Sequence, residues 1–281
     1  MSVTHPQRQL RRRTLLAAGA ALALPFGGPA DLRRPADRSP AGQGPGRRSP
    51  GARGPDGSGP VGVEPAADRR GPADLFGREI RLIPTDDPVV ALTFNAAWND
   101  DGIDAVLDEL RSRGVPATFF LTGQFAEANP AAAAALAAEH GVASHSYSHP
   151  RLTDLDRAGL REEVERADEA IRGATGTDPL PFYRFPYSET SPSAIAQVNA
   201  LGYADIEFTD DTLGYLGEGG GVSVEDAVDR AVRAIRPGTI LQMHLGSTGT
   251  SGPNVDSRAL PAVVDAVESR GYTVIDLASL V

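Results

Sequence analysis

Cysteine is absent from the 281 residues, which removes thiol catalysis, cysteine-ligated zinc and disulfides together. Lysine is absent too, so all 27 basic residues are arginine, which reads as a coding bias rather than a functional choice. No apolar run is long enough to span a bilayer as a helix. Basic charge is scarce outside the N-terminal quarter. Residues 1–72 hold 12 arginines against 5 acids, while the rest holds 15 against 32. That acidic body lacks the clustered cations that phosphate contacts require, which argues against a nucleic-acid partner. What is present is an apolar share of 41%, ample for a core.

Arg11-Arg12-Arg13 precedes a short apolar run through Leu24 and the small residues at 27–30, the order expected of an export signal over residues 1–30. The Arg12-Arg13-x-Leu15-Leu16 pattern points to the twin-arginine route, which exports folded protein. No cysteine follows the run, so neither a lipid nor a transmembrane anchor is expected. Residues 31–75 are rich in Pro, Gly, Arg, Asp and Ser without apolar periodicity, and are expected to be a disordered linker. A single folded domain over 76–281 follows, placed outside the cell or at its wall.

From Ile80 onward, strand-like and helix-like runs alternate. Strands are predicted at 80–83, 89–94, 117–121, 141–144, 182–184, 203–208, 239–243 and 272–277. Helices are predicted at 102–113, 130–140, 156–172, 192–200, 224–235 and 259–270. About seven such units imply an α/β fold with a parallel sheet, doubly wound or closed into a barrel, whose working residues sit at the C-terminal ends of strands.

Those ends collect the chemistry. Asn95, Trp98, Asp100 and Asp101 follow the second strand, and His145 and His149 follow the fourth. Arg184 and Tyr187 come next, then Asp211 with Leu213 and Tyr215, and finally His244. Two histidines spaced i and i+4 on one turn can share a divalent metal, and Pro150 disfavours the α conformation at His149, so a strand end with a single turn is expected. Alone, each residue has a plain alternative: solvated histidines, a surface ion pair, a satisfied core histidine, core aromatics.

In this order Thr93-Phe94-Asn95, His145-Ser146-x-x-His149, Arg184-x-Pro186-Tyr187, Asp211-Thr212 and Leu241-x-x-His244 resemble the polysaccharide deacetylase (NodB-homology) family, carbohydrate esterase family 4. The resemblance covers about residues 76–281. It implies a distorted (β/α) barrel of about seven units and metal-dependent removal of N-acetyl groups from amino-sugar polymers such as peptidoglycan or chitin. It further implies His145 and His149 as ligands of a divalent metal, zinc fitting neutral imidazoles, and a main-chain oxyanion donor at Tyr187. His244 would be the acid for the leaving amine, oriented by Asp211, and Arg184 would hold the first-motif carboxylate. Trp98, Tyr187, Leu213 and Tyr215 are candidates for an apolar pocket around the acetyl methyl and sugar face.

The sequence departs from that family at its first motif. Asn95 and Ala96 replace two aspartates, a general base and a metal ligand, and Ser188 replaces a glycine. The Asn-Ala-Ala-Trp run resembles a variant of the motif that commonly keeps the leading aspartate. Two functions are therefore carried. One is a working N-deacetylase in which His244 is both base and acid, or Asp100 or Asp101 supplies the base or third ligand. The other is a non-catalytic relative that binds a cell-wall glycan.

Overall fold

The computed structural model describes residues 75–179, 181–247 and 253–281. The expected export signal lies outside them, as does the expected linker except for its last residue. That residue, Leu75, is buried in one cluster with Ile80 and Phe182.

β2 (Val89–Ala96) forms the centre of the sheet because its near-continuous apolar run can be buried on both faces. Around it run β1 (Glu79–Ile80), β3 (Thr118–Leu121), β4 (Gly141–Ser144), β5 (Phe182–Tyr183), β6 (Ala204–Ile206), β7 (Asp210–Asp211), β8 (Thr239–Leu245) and β9 (Thr273–Ile275). The order is β1-β6-β5-β4-β3-β2-β8-β7, with β9 beside the first half of β2, and all these pairings are parallel. The sheet curls into a half-barrel. Among the described residues one isolated antiparallel bridge pairs Leu82 with Thr239. This is the expected α/β architecture, with β7 as an added short strand.

The helices are α1 (Ile103–Arg113), α2 (Gly123–Ala128), α3 (Pro130–Glu139), α4 (Arg157–Thr175), α5 (Pro192–Ala200), α6 (Val224–Ala234) and α7 (Val255–Ser269). Two differ from expectation. The short α2 has no apolar period to announce it and is set by its cap, where Thr122 accepts a hydrogen bond from Phe125 N. α7 begins four residues before 259, because Asn254 caps it by accepting from Ser257 N at 2.7 Å. Among the described residues no helix is long and apolar enough to cross a membrane.

Period-two alternation along β2 sorts its side chains. Val90, Leu92, Phe94 and Ala96 join the core between sheet and helices, whereas Ala91, Thr93 and Asn95 occupy the other face. Below the site that inner face is filled by Ala91, Phe120, Ala143, Ile206 and Ile240. This apolar plug forces any polar group above it to find protein partners.

Candidate active-site cleft

A cleft of about 420 Å³ opens where β2, β4, β5, β7 and β8 end, a size suited to a small ligand or a few sugar units. Its lining includes Asn95, Trp98, His145, His149, Tyr187, Asp211, Tyr215 and His244, so the fold gathers the residues picked from the sequence. Leu213 is a correction. Its backbone N–H donates to Asp211 Oδ1 in a left-handed turn (φ 60°), and its side chain packs with Val222 and Val255 instead of lining the cleft. Asp100 and Asp101 are a second correction. Both are exposed and outside the cleft, because the chain turns away into α1, with Asp100 O accepting from Ile103 N.

The two histidines meet without a helical turn. Ser146 (φ 68°) and His149 (φ 60°) are both left-handed, and Ser146 Oγ accepts from His149 N. Glu163 of α4 fixes the loop by accepting from Tyr147 N, Ser148 N and Ser148 Oγ. A Cβ at Gly123 would lie 2.4 Å from the Tyr147 ring, so the close passage of α2 over this loop requires glycine. All five non-glycine residues with positive φ among the described residues lie in these strand-end loops: Ser146, His149, Tyr187, Ser188 and Leu213. Such strain persists only where surrounding structure enforces it, and it clusters at functional sites.

His145 Nδ1 donates to Arg184 O at 2.8 Å, which fixes the tautomer and leaves Nε2 with its lone pair. Burial, with help from the neighbouring His149, holds His145 well below the ordinary imidazole range, and burial brings His149 down to about 4. Both are neutral at pH 7, as metal ligation demands. Their ring centroids are 4.8 Å apart. Among the described residues, however, no third His, Cys, Asp or Glu joins them. The family typically depends on a metal, and a catalytic zinc ordinarily takes three protein ligands. Two imidazoles alone do not fit that requirement.

Arg184 is buried with its guanidinium carbon 3.9 Å from the centre of the Phe120 ring. Its Nε and Nη2 donate to Ile206 O and Glu207 O, and its Nη1 donates to Asn95 Oδ1 at 3.0 Å. Burial lowers it to about 10, which leaves it charged at neutral pH. Glu207, also buried, accepts from Phe185 N and Ser188 Oγ and so holds the turn that carries Tyr187. Beside it, burial and the neighbouring Glu207 push the Asp205 carboxyl well above the ordinary carboxylate range.

Asn95 is the hinge of the polar floor. Its Nδ2 donates to Gln242 Oε1 at 3.0 Å, and Gln242 Nε2 donates to Asp211 Oδ2 at 2.9 Å. The amide orientations follow from both ends: Arg184 can only donate, the Asp211 carboxylate can only accept, and one alternation of donors and acceptors satisfies all four groups. His244 Nδ1 lies 3.6 Å from Asp211 and 3.5 Å from Asp256. Gln242 and Asp256 were missed in the sequence. Gln242 sits two residues before His244, hence on the same face of β8, and Asp256 lies in the first helical turn after an Asn cap, both readable signals.

The chain is similar to known proteins over this domain. The polysaccharide deacetylase family pattern matches residues 83–206. A chitooligosaccharide deacetylase from Bradyrhizobium sp. is 30% identical over 200 residues, 68% of this chain and 90% of the relative. This chain belongs to the polysaccharide deacetylase family. A peptidoglycan-N-acetylglucosamine deacetylase from Bacillus cereus is 28% identical over 198 residues, covering 70% of each chain. The fold of a CE4 family pseudoenzyme from Bacillus anthracis superposes with a TM-score of 0.66 at 24% identity, over 74% of this chain and 70% of that one. Within this family's fold, Asn95 and Ala96 stand where the resemblance implies two aspartates, in a cleft that also holds His145, His149, Asp211 and His244.

Proposed function

We propose that this deacetylase-family cleft binds N-acetylated amino-sugar polymers of the cell envelope, peptidoglycan or a chitin-like glycan, and that the natural protein is deficient in their hydrolysis. The observation that carries this reading is the Arg184–Asn95–Gln242–Asp211 chain of hydrogen bonds. Amide hydrolysis needs a base to deprotonate the attacking water. An asparagine amide has no usable basicity at neutral pH, and here both of its ends are already committed. Of the two carboxylates that line the cleft, Asp211 already accepts from Leu213 N and Gln242 Nε2, and Glu189 is ion-paired with Arg151. A bound zinc would polarise the acetyl carbonyl, but among the described residues only His145 and His149 are present to hold it.

The substrate class rests on the curated relatives, deacetylases of chitooligosaccharides and peptidoglycan, and on the shape of the rim. Trp98 and Tyr187 are 52% and 54% exposed, although large aromatics usually bury. Their rings lie 5.6 and 4.7 Å from the His149 ring; the Arg151 guanidinium lies 4.6 Å over the Tyr187 ring, so the Trp98 ring is the face on which a sugar ring can stack. Trp98→Ala is expected to weaken binding of N-acetylglucosamine oligomers roughly 5- to 30-fold, about 1–2 kcal/mol, in calorimetric titration. Unchanged affinity would remove the rim from the binding site.

A slow hydrolase in which His244 makes both proton transfers is the second reading, favoured by the two carboxylates that face His244 Nδ1. His244→Ala would then abolish acetate release.

Export through the twin-arginine route is part of the proposal, since an envelope glycan lies outside the cytoplasm. Arg12→Lys with Arg13→Lys is expected to leave the precursor inside the cell on fractionation and immunoblotting. Normal secretion of that variant would assign another route.

A further inference from the structure

His244 is flanked by two acidic side chains, and the geometry distinguishes them. Asp211 Oδ1 lies 3.6 Å from His244 Nδ1, yet both Asp211 oxygens already hold donors, Leu213 N at 2.7 Å and Gln242 Nε2 at 2.9 Å. Asp256 is fully buried. Its Oδ2 accepts the His244 backbone N–H at 2.7 Å and lies 3.5 Å from Nδ1, while its Oδ1 has no partner. His244 Nδ1 is itself a buried polar atom without a hydrogen bond. A buried donor site and a buried carboxylate with spare acceptor capacity therefore adjoin. Leaving both unmade is costly, and a shift of a few tenths of an ångström closes the bond.

We infer that Asp256, rather than Asp211, is the positioning residue that fixes His244 as its Nδ1–H tautomer, leaving Nε2 unprotonated toward the cleft. Asp211 instead anchors Gln242 and the turn into Leu213. The backbone is shaped for this arrangement. A Cβ at Gly214 would stand 2.2–2.3 Å from the Asp256 carboxylate atoms, so only glycine lets that turn pass over Asp256. Placement in the first turn of α7 favours the negative charge, because the helix dipole is positive there. The inference concerns His244 in the free protein and holds whether or not the cleft hydrolyses its ligand.

The test is the tautomer, read by nitrogen-15 NMR of the full chain labelled at histidine, with the His244 signals assigned by their loss in His244→Gln. The natural protein is expected to show a protonated Nδ1 and a pyridine-like Nε2 at pH 8. In Asp256→Asn the side-chain oxygen keeps the backbone N–H and presents its NH₂ to the imidazole, so the Nε2–H form becomes dominant. Asp211→Asn leaves the Nδ1–H form in place. Gly214→Ala, which displaces Asp256 without altering its charge, moves the spectrum in the same direction as Asp256→Asn. A natural protein already in the Nε2–H form overturns the inference with no variant needed. So does a tautomer that follows Asp211→Asn and ignores Asp256→Asn, or one that neither substitution changes.

Discussion

Asn95→Asp is expected to raise acetate release from N-acetylglucosamine oligomers by about 10²- to 10⁴-fold over the natural protein, the usual worth of a positioned general base. One oxygen of the new carboxylate takes the place of Asn95 Oδ1 and keeps the Arg184 hydrogen bond. The other meets Gln242 Oε1, an acceptor facing an acceptor. Gln242 relieves this by turning its NH₂ toward residue 95, which then sets its oxygen against Asp211 and breaks the 2.9 Å bond there. The gain is therefore expected near the lower end for the single variant. Supplying a carboxylate beside His145 and His149 as well, in Asn95→Asp/Ala97→Asp, is expected to raise it further with zinc present, because a third donor completes the ligand set. Acetate assays with and without added zinc measure both.

The choice of Ala97 over Ala96 leads to the largest expected effect on stability. Matching the family motif residue by residue would put the second carboxylate at 96. Here β2 remains paired through Ala96, with Leu121 on one side and Leu245 on the other, so the alternation turns this methyl toward the helices. It is fully buried in the same core as Phe94 and Phe119. Ala96→Asp would therefore bury a carboxyl with no partner, at about 3–5 kcal/mol, the cost of an uncompensated buried charge. For a domain of this size that corresponds to a loss of roughly 6–20 °C in Tm. Ala97 lines the cleft and is half-buried, so Ala97→Asp should stay within a few degrees of the natural protein. Thermal unfolding by circular dichroism separates the two, and equal melting temperatures would mean that β2 ends earlier than Ala96.

Much of this was legible in the sequence because it depends on short-range periodicity. The buried run of β2 and the polar residues after each strand follow from local chemistry. The gathering of His145, Asp211 and His244 into one cleft, with Arg184 buried under Asn95, then follows from the parallel sheet, which brings strand ends to one edge. What escaped depends on orientation and on partners distant in sequence. Leu213 is apolar and next to the site, but a left-handed turn points it into another cluster. Asp100 and Asp101 are near Asn95 along the chain and outside the cleft in space. The Asn95 amide looked like a simple loss of charge, whereas its pairing with Gln242, 147 residues away, makes it one link of a satisfied network. Asp256 fell outside the predicted helix because the helix start was placed at 259, beyond the Asn254 cap.

The most direct measurement is acetate release by the natural full-length protein at saturating N-acetylglucosamine oligomer or peptidoglycan fragment, with zinc added and binding confirmed by titration in the same sample. With Asn95 at the base position, saturable binding is expected with no acetate above the protein-free blank. Sustained release of acetate by the natural protein, lost in His244→Ala and little changed by Asn95→Asp, would contradict it.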